Sequence, residues 1–260
     1  MKFDKKDFEG AIVDYDEAIR LNPQDTLAYK NRGVAKFKKK DLEGAIIDYD
    51  EAIRLNPQDV DAYTNRGIAK YEKKDLEGAI VDYDEVIRLN PQNANIYNNR
   101  GTVKFEKKDF EGAIVDFNEV IRLNPQYMLA YNNRGSAKNS KKDFEGAIVD
   151  FDEAIRLDPQ YVEAYSNRGI AKKNKNDFEG AILDWEKALS LKMNGEIQQL
   201  LIETLRQYSR EQFRKKEWQG AKTNLLKLKK YLPLNDPQQK QLDQKIQQLE
   251  KLLSSSEEKK

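Results

Sequence analysis

Five asparagines recur at one position of a repeating sequence, and their side chains are the polar groups best suited to bind another chain. They lie 34 residues apart, at Asn31, Asn65, Asn99, Asn133 and Asn167. An amide offers a carbonyl acceptor and an NH2 donor group, so it can match the N–H and C=O of a peptide backbone. The pattern predicts hydrogen bonding to an extended peptide. The alternative is that each amide bonds to neighbouring backbone and sets the geometry of the repeat.

The residue types that usually carry catalysis are either absent or repeat identically in every unit. The chain has no histidine and no cysteine, which excludes imidazole and thiolate chemistry and His/Cys metal sites. Carboxylates recur identically from unit to unit, which suits surface pairing better than a catalytic pair in distinct environments. The sequence contains no phosphate-binding loop and no Gly-x-Ser-x-Gly turn. We expect no enzyme activity, no cofactor and no metal site.

Charge and hydropathy argue against nucleic acid and membrane partners. Lys and Arg number 46 against 45 Asp and Glu, for a net charge of +1. Proteins that bind nucleic acid or anionic membranes usually carry a strongly basic surface. No apolar run is long enough for a signal peptide or a membrane span. The sequence predicts a cytoplasmic protein.

The elements that position the asparagines follow from a fixed 34-residue period. Two residue types mark it, namely the prolines Pro23, Pro57, Pro91, Pro125 and Pro159 and the glycines Gly33, Gly67, Gly101, Gly135 and Gly169. A period of this size indicates a solenoid, because one unit cannot bury its own apolar face and must stack on its neighbours.

Each unit is predicted to contain two helices. In one unit the first helix spans 59–74 and the second 76–89, with Asp75 as the N-cap between them and Pro91 closing the pair. Apolar residues recur at helical spacing on the second helix, including Ala79 and Tyr83.

The positions of Tyr63, Gly67, Ala79, Tyr83 and Pro91 within the period resemble the tetratricopeptide repeat (TPR) family. The resemblance implies an all-α, right-handed superhelical solenoid of antiparallel helix pairs, whose first helices line a concave groove. It also implies a protein–protein interaction scaffold that binds an extended peptide segment of a partner protein in that groove.

The period divides the chain into five segments. Residues 1–24 form an incomplete first repeat with only its second helix, and 25–194 form five 34-residue repeats. Residues 195–236 form a degenerate, longer helix pair, 237–253 a C-terminal capping helix and 254–260 a disordered tail. The open N-terminal edge and the C-terminal helix are the two places where a homo-oligomer could form.

The groove residues are predicted from differences between repeats. Positions on one face of the first helix change from repeat to repeat, while the packing stripe stays constant. The changing positions predicted to contact the peptide, together with the five asparagines, are Lys30, Val34, Phe37, Thr64, Ile68, Tyr71, Asn98, Thr102, Phe105, Asn132 and Ser136. The three aromatics among them predict an apolar anchor toward the N-terminal half.

The first helix also carries an unusual arginine. Where the family usually has leucine before the first-helix glycine, this chain has Arg32, Arg66, Arg100, Arg134 and Arg168. We predict that the arginine stems lie along the helix interface and that their guanidinium groups meet second-helix carboxylates such as Asp48 or Asp82.

Two alternatives to a peptide-binding scaffold remain open from the sequence. Lys-Lys steps such as Lys73-Lys74 recur along one edge, and an RNA-binding helical repeat would place basic residues there. The near identity of the second helices also suits an architectural or engineered array without a dedicated ligand.

Overall fold

The computed structural model describes residues 7–233 and 235–257. Over these residues the chain is entirely helical, without a strand, which confirms the all-α prediction. The helices are α1 Phe8–Leu21, α2 Thr26–Lys38, α3 Leu42–Leu55, α4 Val60–Glu72, α5 Leu76–Leu89, α6 Ala94–Glu106, α7 Phe110–Leu123, α8 Met128–Ser140, α9 Phe144–Leu157, α10 Val162–Asn174, α11 Phe178–Leu191, α12 Gly195–Arg214, α13 Trp218–Tyr231 and α14 Gln238–Glu257.

The chain divides into two compact units, Met1–Ala137 and Lys138–Lys260. In the first unit α2 packs on α3, α4 on α5 and α6 on α7, and each of these first helices also packs on the second helix before it. In the second unit the same alternation runs from α9 to α14. Each unit is therefore a stack of helix pairs, as the 34-residue period predicts.

A tight turn joins the two helices of each pair. After α4, the Asp75 N–H bonds to the Lys70 carbonyl at 2.9 Å and the Lys74 N–H to the Tyr71 carbonyl at 2.9 Å, the two bonds of a Schellman motif. Lys74 adopts a left-handed φ of 67°. The Asp75 carboxylate then accepts from the Gly78 N–H at 3.0 Å and caps α5. One short segment thus ends the first helix and starts the second.

The core between paired helices combines small residues with one large ring. Tyr83 is 1% exposed and packs with Ala79, Val86 and other apolar side chains. Its ring lies 2.6 Å from where a Cβ would stand on Gly67. The glycine therefore lets an aromatic of the second helix approach the backbone of the first, which explains why both residues recur with the same period.

The degenerate pair and the capping helix form one larger core. Helices α12, α13 and α14 contribute buried leucines and isoleucines to a cluster that also includes Trp185 of α11. Helix α14 continues to Glu257, so the prediction that the disordered tail begins at Ser254 needs correction. No Gly or Pro interrupts the segment, and the Ser254 hydroxyl bonds to the Glu250 carbonyl at 3.1 Å. Residues 258–260 lie outside the described residues.

The first described helix, α1, buries no residue, unlike the later second helices. Tyr15 of α1 is half-exposed, whereas the equivalent Tyr49 of α3 is buried. Met1–Lys6 of the predicted incomplete repeat lie outside the described residues. Self-association through this edge or through α14 stays a prediction.

Candidate functional site

The predicted groove residues lie on the first helices α2, α4, α6, α8 and α10, and most are half-buried. Among the asparagines, Asn31, Asn65 and Asn99 make no hydrogen bond to any described residue. Their polar atoms are not sealed in the core either, since the buried, unpartnered side-chain atoms of the described chain belong to Thr204 and Gln239. Three amides therefore present donors and acceptors that the fold does not use.

The remaining amides of this face take part in internal contacts. The Asn133 side-chain NH2 group donates to the side-chain oxygen Oδ1 of Asn98 at 3.3 Å, which links two successive first helices. Asn132 is buried, and both Asn132 and Asn167 have interaction partners. The asparagine row is thus divided between unused amides toward the N-terminus and engaged ones further along.

The hydroxyl groups predicted for the groove are directed at their own helix. Thr64 donates to the Val60 carbonyl at 2.8 Å and Thr102 to the Asn98 carbonyl at 2.9 Å. Ser136 similarly donates to the Asn132 carbonyl at 3.0 Å. Because each O–H is committed to backbone, these side chains retain only acceptor lone pairs for a ligand.

Lys30 is committed to the next repeat. Its ammonium bonds to Asp59 at 3.0 Å and to Asp61 at 3.3 Å. Burial lowers the pKa of Lys30, but the bonds to Asp59 and Asp61 outweigh burial, so the pKa of Lys30 is raised. The ammonium is therefore charged and already paired, which makes Lys30 a weaker ligand contact than its position suggested.

The three aromatics share their surface between the core and the groove face. Phe37 and Phe105 are half-buried and pack on the clusters around Tyr49 and Phe117. Tyr71 donates its hydroxyl to Glu106 on the next first helix. Burial, together with that carboxylate, raises the pKa of Tyr71 to about 12. An apolar side chain of a bound peptide would contact the edges of these rings, together with the half-exposed Ile68 and the more exposed Val34.

The arginine prediction is confirmed. Arg66 binds Asp82 of its own second helix in a two-pronged arrangement, with Nη2 at 2.5 Å and Nε at 3.0 Å. Its other terminal nitrogen reaches Asp50 of the preceding second helix at 2.6 Å. The guanidinium also lies 5.3 Å from the centre of the Tyr63 ring. Arg66 therefore joins two successive second helices from the first helix between them.

Two partners in this network were missed from the sequence. The Lys70 ammonium forms a second ion pair with the buried Asp82, with Nζ 2.9 Å from Oδ2. Asp50 provides the second carboxylate that Arg66 binds. The available signal was spacing, because Arg66 stands 16 residues from both Asp50 and Asp82. Arg32, Arg100 and Arg168 repeat the arrangement, and Arg134 meets an asparagine, Asn118, in place of the outer carboxylate.

The described residues contain no group of three or more acidic or other ligand side chains placed to hold a metal ion. None of the described helices is both long enough and apolar enough to cross a membrane.

Comparison with known families identifies the repeat. The TPR repeat profile matches residues 1–40, 35–74, 69–108 and 135–175, and the tetratricopeptide repeat profile matches residues 94–127. These matches cover more than half of the chain. The chain belongs to the tetratricopeptide repeat family.

Solved structures share the fold at low sequence identity. One is YrrB, titled a TPR protein with an unusual peptide-binding site, with 22% identity over 70% of this chain and 94% of that chain and a TM-score of 0.61. MamA has 26% identity over 64% and 91%, with a TM-score of 0.61. The C-terminal part of a TPR repeat-containing protein from Cytophaga hutchinsonii has 18% identity over 88% and 92%, with a TM-score of 0.73. No curated protein matched the sequence.

Proposed function

We propose that the chain is a non-catalytic protein-interaction scaffold that binds an extended segment of a partner protein along its first-helix face. One observation carries the proposal: the amides of Asn31, Asn65 and Asn99 recur at one position and have no hydrogen-bond partner in the described chain. Had they set repeat geometry, their donors and acceptors would be spent on neighbouring backbone.

Family membership supports this proposal at a coarser level. Helical repeats of this kind present extended surfaces to other proteins. YrrB, a structural neighbour, is described as carrying a peptide-binding site. Regularly spaced amides add a chemical preference, because each can pair with a backbone N–H and C=O regardless of the partner's side chains.

The RNA alternative loses part of its basis. In three of the Lys-Lys steps the first lysine bonds to a glutamate of the preceding repeat: Lys39 to Glu9 at 2.6 Å, Lys73 to Glu43 at 3.1 Å and Lys107 to Glu77 at 2.7 Å. These glutamates pair with one lysine of each of the three steps, and a phosphate backbone would have to displace them.

The test removes the unused amides. Peptides selected from a random display library on the wild-type chain should bind the Asn31→Ala/Asn65→Ala/Asn99→Ala variant more than tenfold more weakly, since each lost hydrogen bond is worth roughly 1 kcal/mol net. Isothermal titration calorimetry measures the affinities.

The matched control removes amides from the exposed turns between repeats. Gln58→Ala/Gln92→Ala deletes two side chains that bond to no other described residue, and peptide affinity should stay within about twofold of wild type. Unchanged affinity in the asparagine variant, accompanied by a lower melting temperature, would contradict the proposal and assign the asparagines to repeat geometry.

A further inference from the structure

A second candidate site lies in the terminal helices, where α12, α13 and α14 enclose a pocket of about 310 Å³. Its apolar wall includes Ala221 and Leu225, both buried, and Phe213, which is 40% exposed. Ligand sites commonly have volumes of roughly 300 to 1,000 Å³, so this pocket has room for one large side chain and little more.

Three cations surround the apolar wall. Arg210 and Arg214 of α12 and Lys245 of α14 line the pocket and are exposed. Within the described part of the chain, none of the three has a hydrogen bond or ion pair. The repeat arginines behave differently, since Arg32, Arg66, Arg100 and Arg168 are each held by a carboxylate.

The nearby carboxylates are already engaged. Glu211, next to Arg210 in sequence, bonds to Lys215 at 2.6 Å. Glu250 of α14 bonds to Lys222 of α13 at 2.9 Å. These two acids are therefore already paired, and no acid of the described chain, Glu217 included, forms an ion pair with the pocket cations.

Charge is also unevenly distributed along the sequence. Residues 195–257 contain twelve Lys and Arg against eight Asp and Glu, whereas residues 25–194 contain 28 against 30. The near-neutral total thus conceals a basic terminal segment. A basic surface of this kind attracts acidic ligands over distances of about 8–10 Å at physiological ionic strength.

We propose that this pocket binds an acidic peptide segment, with one large apolar side chain against Phe213 and Leu225 and flanking carboxylates on Arg210, Arg214 and Lys245. Arginine suits this task because its planar guanidinium donates two parallel hydrogen bonds to one carboxylate. The proposal goes beyond the proposed function and does not depend on the asparagines. Phe213 lies two residues before Lys215, as Tyr71 lies two residues before Lys73, so its ring occupies the position of a predicted groove aromatic.

A tryptophan in contact with the pocket wall can report whether the pocket is occupied. The Phe213 ring packs edge-on against Trp218, with ring centres 5.1 Å apart. The other tryptophan, Trp185, is fully buried in the core. A ligand side chain that moves or covers Phe213 changes the surroundings of Trp218, so Trp218 fluorescence in a Trp185→Phe background follows pocket occupancy.

The experiment uses the full chain and a fluorescein-labelled peptide with a central phenylalanine between pairs of glutamates, at about 0.15 M ionic strength. We expect saturable binding by fluorescence anisotropy with a matching change in Trp218 emission. The Arg210→Gln/Arg214→Gln variant should bind at least about tenfold more weakly. A peptide with glutamine for glutamate, or alanine for phenylalanine, should lose affinity to a similar extent.

The control variant Lys240→Gln/Lys251→Gln removes the same charge from exposed sites of α14 outside the pocket lining. Equal losses in the two variants would overturn the proposal in favour of unspecific charge attraction. So would no binding of the acidic peptide, or binding of anionic lipid vesicles in its place. The Asn31→Ala/Asn65→Ala/Asn99→Ala variant separates the two proposals: its normal affinity for this peptide leaves the pocket standing even if the asparagine face fails its own test.

Discussion

At the scale of single residues, the structure depends on a carboxylate buried in each repeat. Asp82 is fully buried and forms ion pairs with both Arg66 and Lys70. A charge taken out of water is tolerated only when it is paired and hydrogen-bonded, and here two cations serve one acid. The arginine's second bond, to the exposed Asp50, brings the local charge nearer balance.

Removing the buried charge should therefore be costly. Asp82→Asn keeps the side-chain shape but leaves Arg66 and Lys70 beside a neutral amide, and breaking such a buried pair typically costs about 3 to 5 kcal/mol. We expect a loss of about 3 kcal/mol in the free energy of unfolding, measured by urea denaturation followed by circular dichroism.

The matched control is Asp84→Asn, which changes the exposed carboxylate that Arg100 contacts. Its cost should be below about 1 kcal/mol, because exposed pairs contribute little. The chain already has an asparagine at this position in another repeat, where Asn118 accepts from Arg134 at 2.7 Å. Similar losses for the two variants would mean that burial does not determine how much the ion pair contributes to the free energy of unfolding.

At the scale of elements, most of the fold was predictable because its signals are local. Asp75 was predicted as an N-cap, and its carboxylate caps α5. The predicted second helix 76–89 coincides with α5, while the predicted first helix 59–74 is trimmed to α4, Val60–Glu72. Its last residues form the Schellman turn, which glycine usually signals and which here contains lysine.

Side-chain partners were harder to predict than helices. The sequence shows that asparagine recurs at Asn65 and Asn133, but only the structure shows that the Asn65 amide has no partner among the described residues and that Asn133 bonds to Asn98. The terminal pocket escaped prediction because one of its walls is α14, which lies outside the 34-residue period, so the repeat pattern could not bring Lys245 together with Arg210 and Phe213.

The turn between paired helices offers a stabilising substitution. Lys108 has a left-handed φ of 65°, and its side chain has no bonded partner in the described chain. A non-glycine residue in this conformation costs roughly 1 to 2 kcal/mol, and glycine avoids that strain. Lys108→Gly should therefore raise the free energy of unfolding by up to about 1 kcal/mol, once glycine's greater unfolded-state entropy is included.

The neighbouring lysine supplies the control for this turn. Lys107 has an ordinary helical φ of −70° and an ion pair with Glu77. Lys107→Gly should lower the free energy of unfolding by about 1 kcal/mol. Glycine increases the backbone entropy of the unfolded chain, and at this position it relieves no strain. If thermal melts show that both glycine variants lower stability, left-handed strain is not what distinguishes Lys108.

At the scale of the whole molecule, the same charge pairs recur in successive repeats, so their responses to pH accumulate. A bond to Lys73 lowers the pKa of Glu43 below its ordinary value of 4.5, and Lys107 and Lys175 do the same for Glu77 and Glu145. Such groups contribute stability above pH 4.5, and the contribution is lost as pH falls through the lowered folded values.

We therefore expect the melting temperature to fall progressively as pH is lowered from about 4.5 to about 3. Circular dichroism melts across this range check the trend. Glu43→Gln/Glu77→Gln should melt lower than wild type at pH 7 and change less on acidification, because two of the titrating pairs are already absent. If the melting temperature of the variant falls as much as that of wild type on acidification, other carboxylates cause the loss of stability.

The loss of folding stability at alkaline pH has a different origin, the buried tyrosines. Burial raises the pKa values of Tyr49 and Tyr83 above the ordinary value of 10.0, and burial together with Glu106 raises that of Tyr71 to about 12. Because the unfolded chain loses these protons first, stability is complete below pH 10 and decreases as pH rises above it. Phe117 occupies the position of Tyr83 in another repeat, so the ring suffices for packing there.

Tyr49→Phe/Tyr83→Phe should accordingly change stability at pH 7 by less than about 1 kcal/mol, since the buried ring is retained. Above pH 10 the variant should lose stability less steeply than wild type, because two groups that resist ionisation in the folded state are gone. Urea midpoints at neutral and alkaline pH, with tyrosinate absorbance followed in parallel, measure both effects. Equal alkaline slopes in the two proteins would show that the buried hydroxyls do not set this limit.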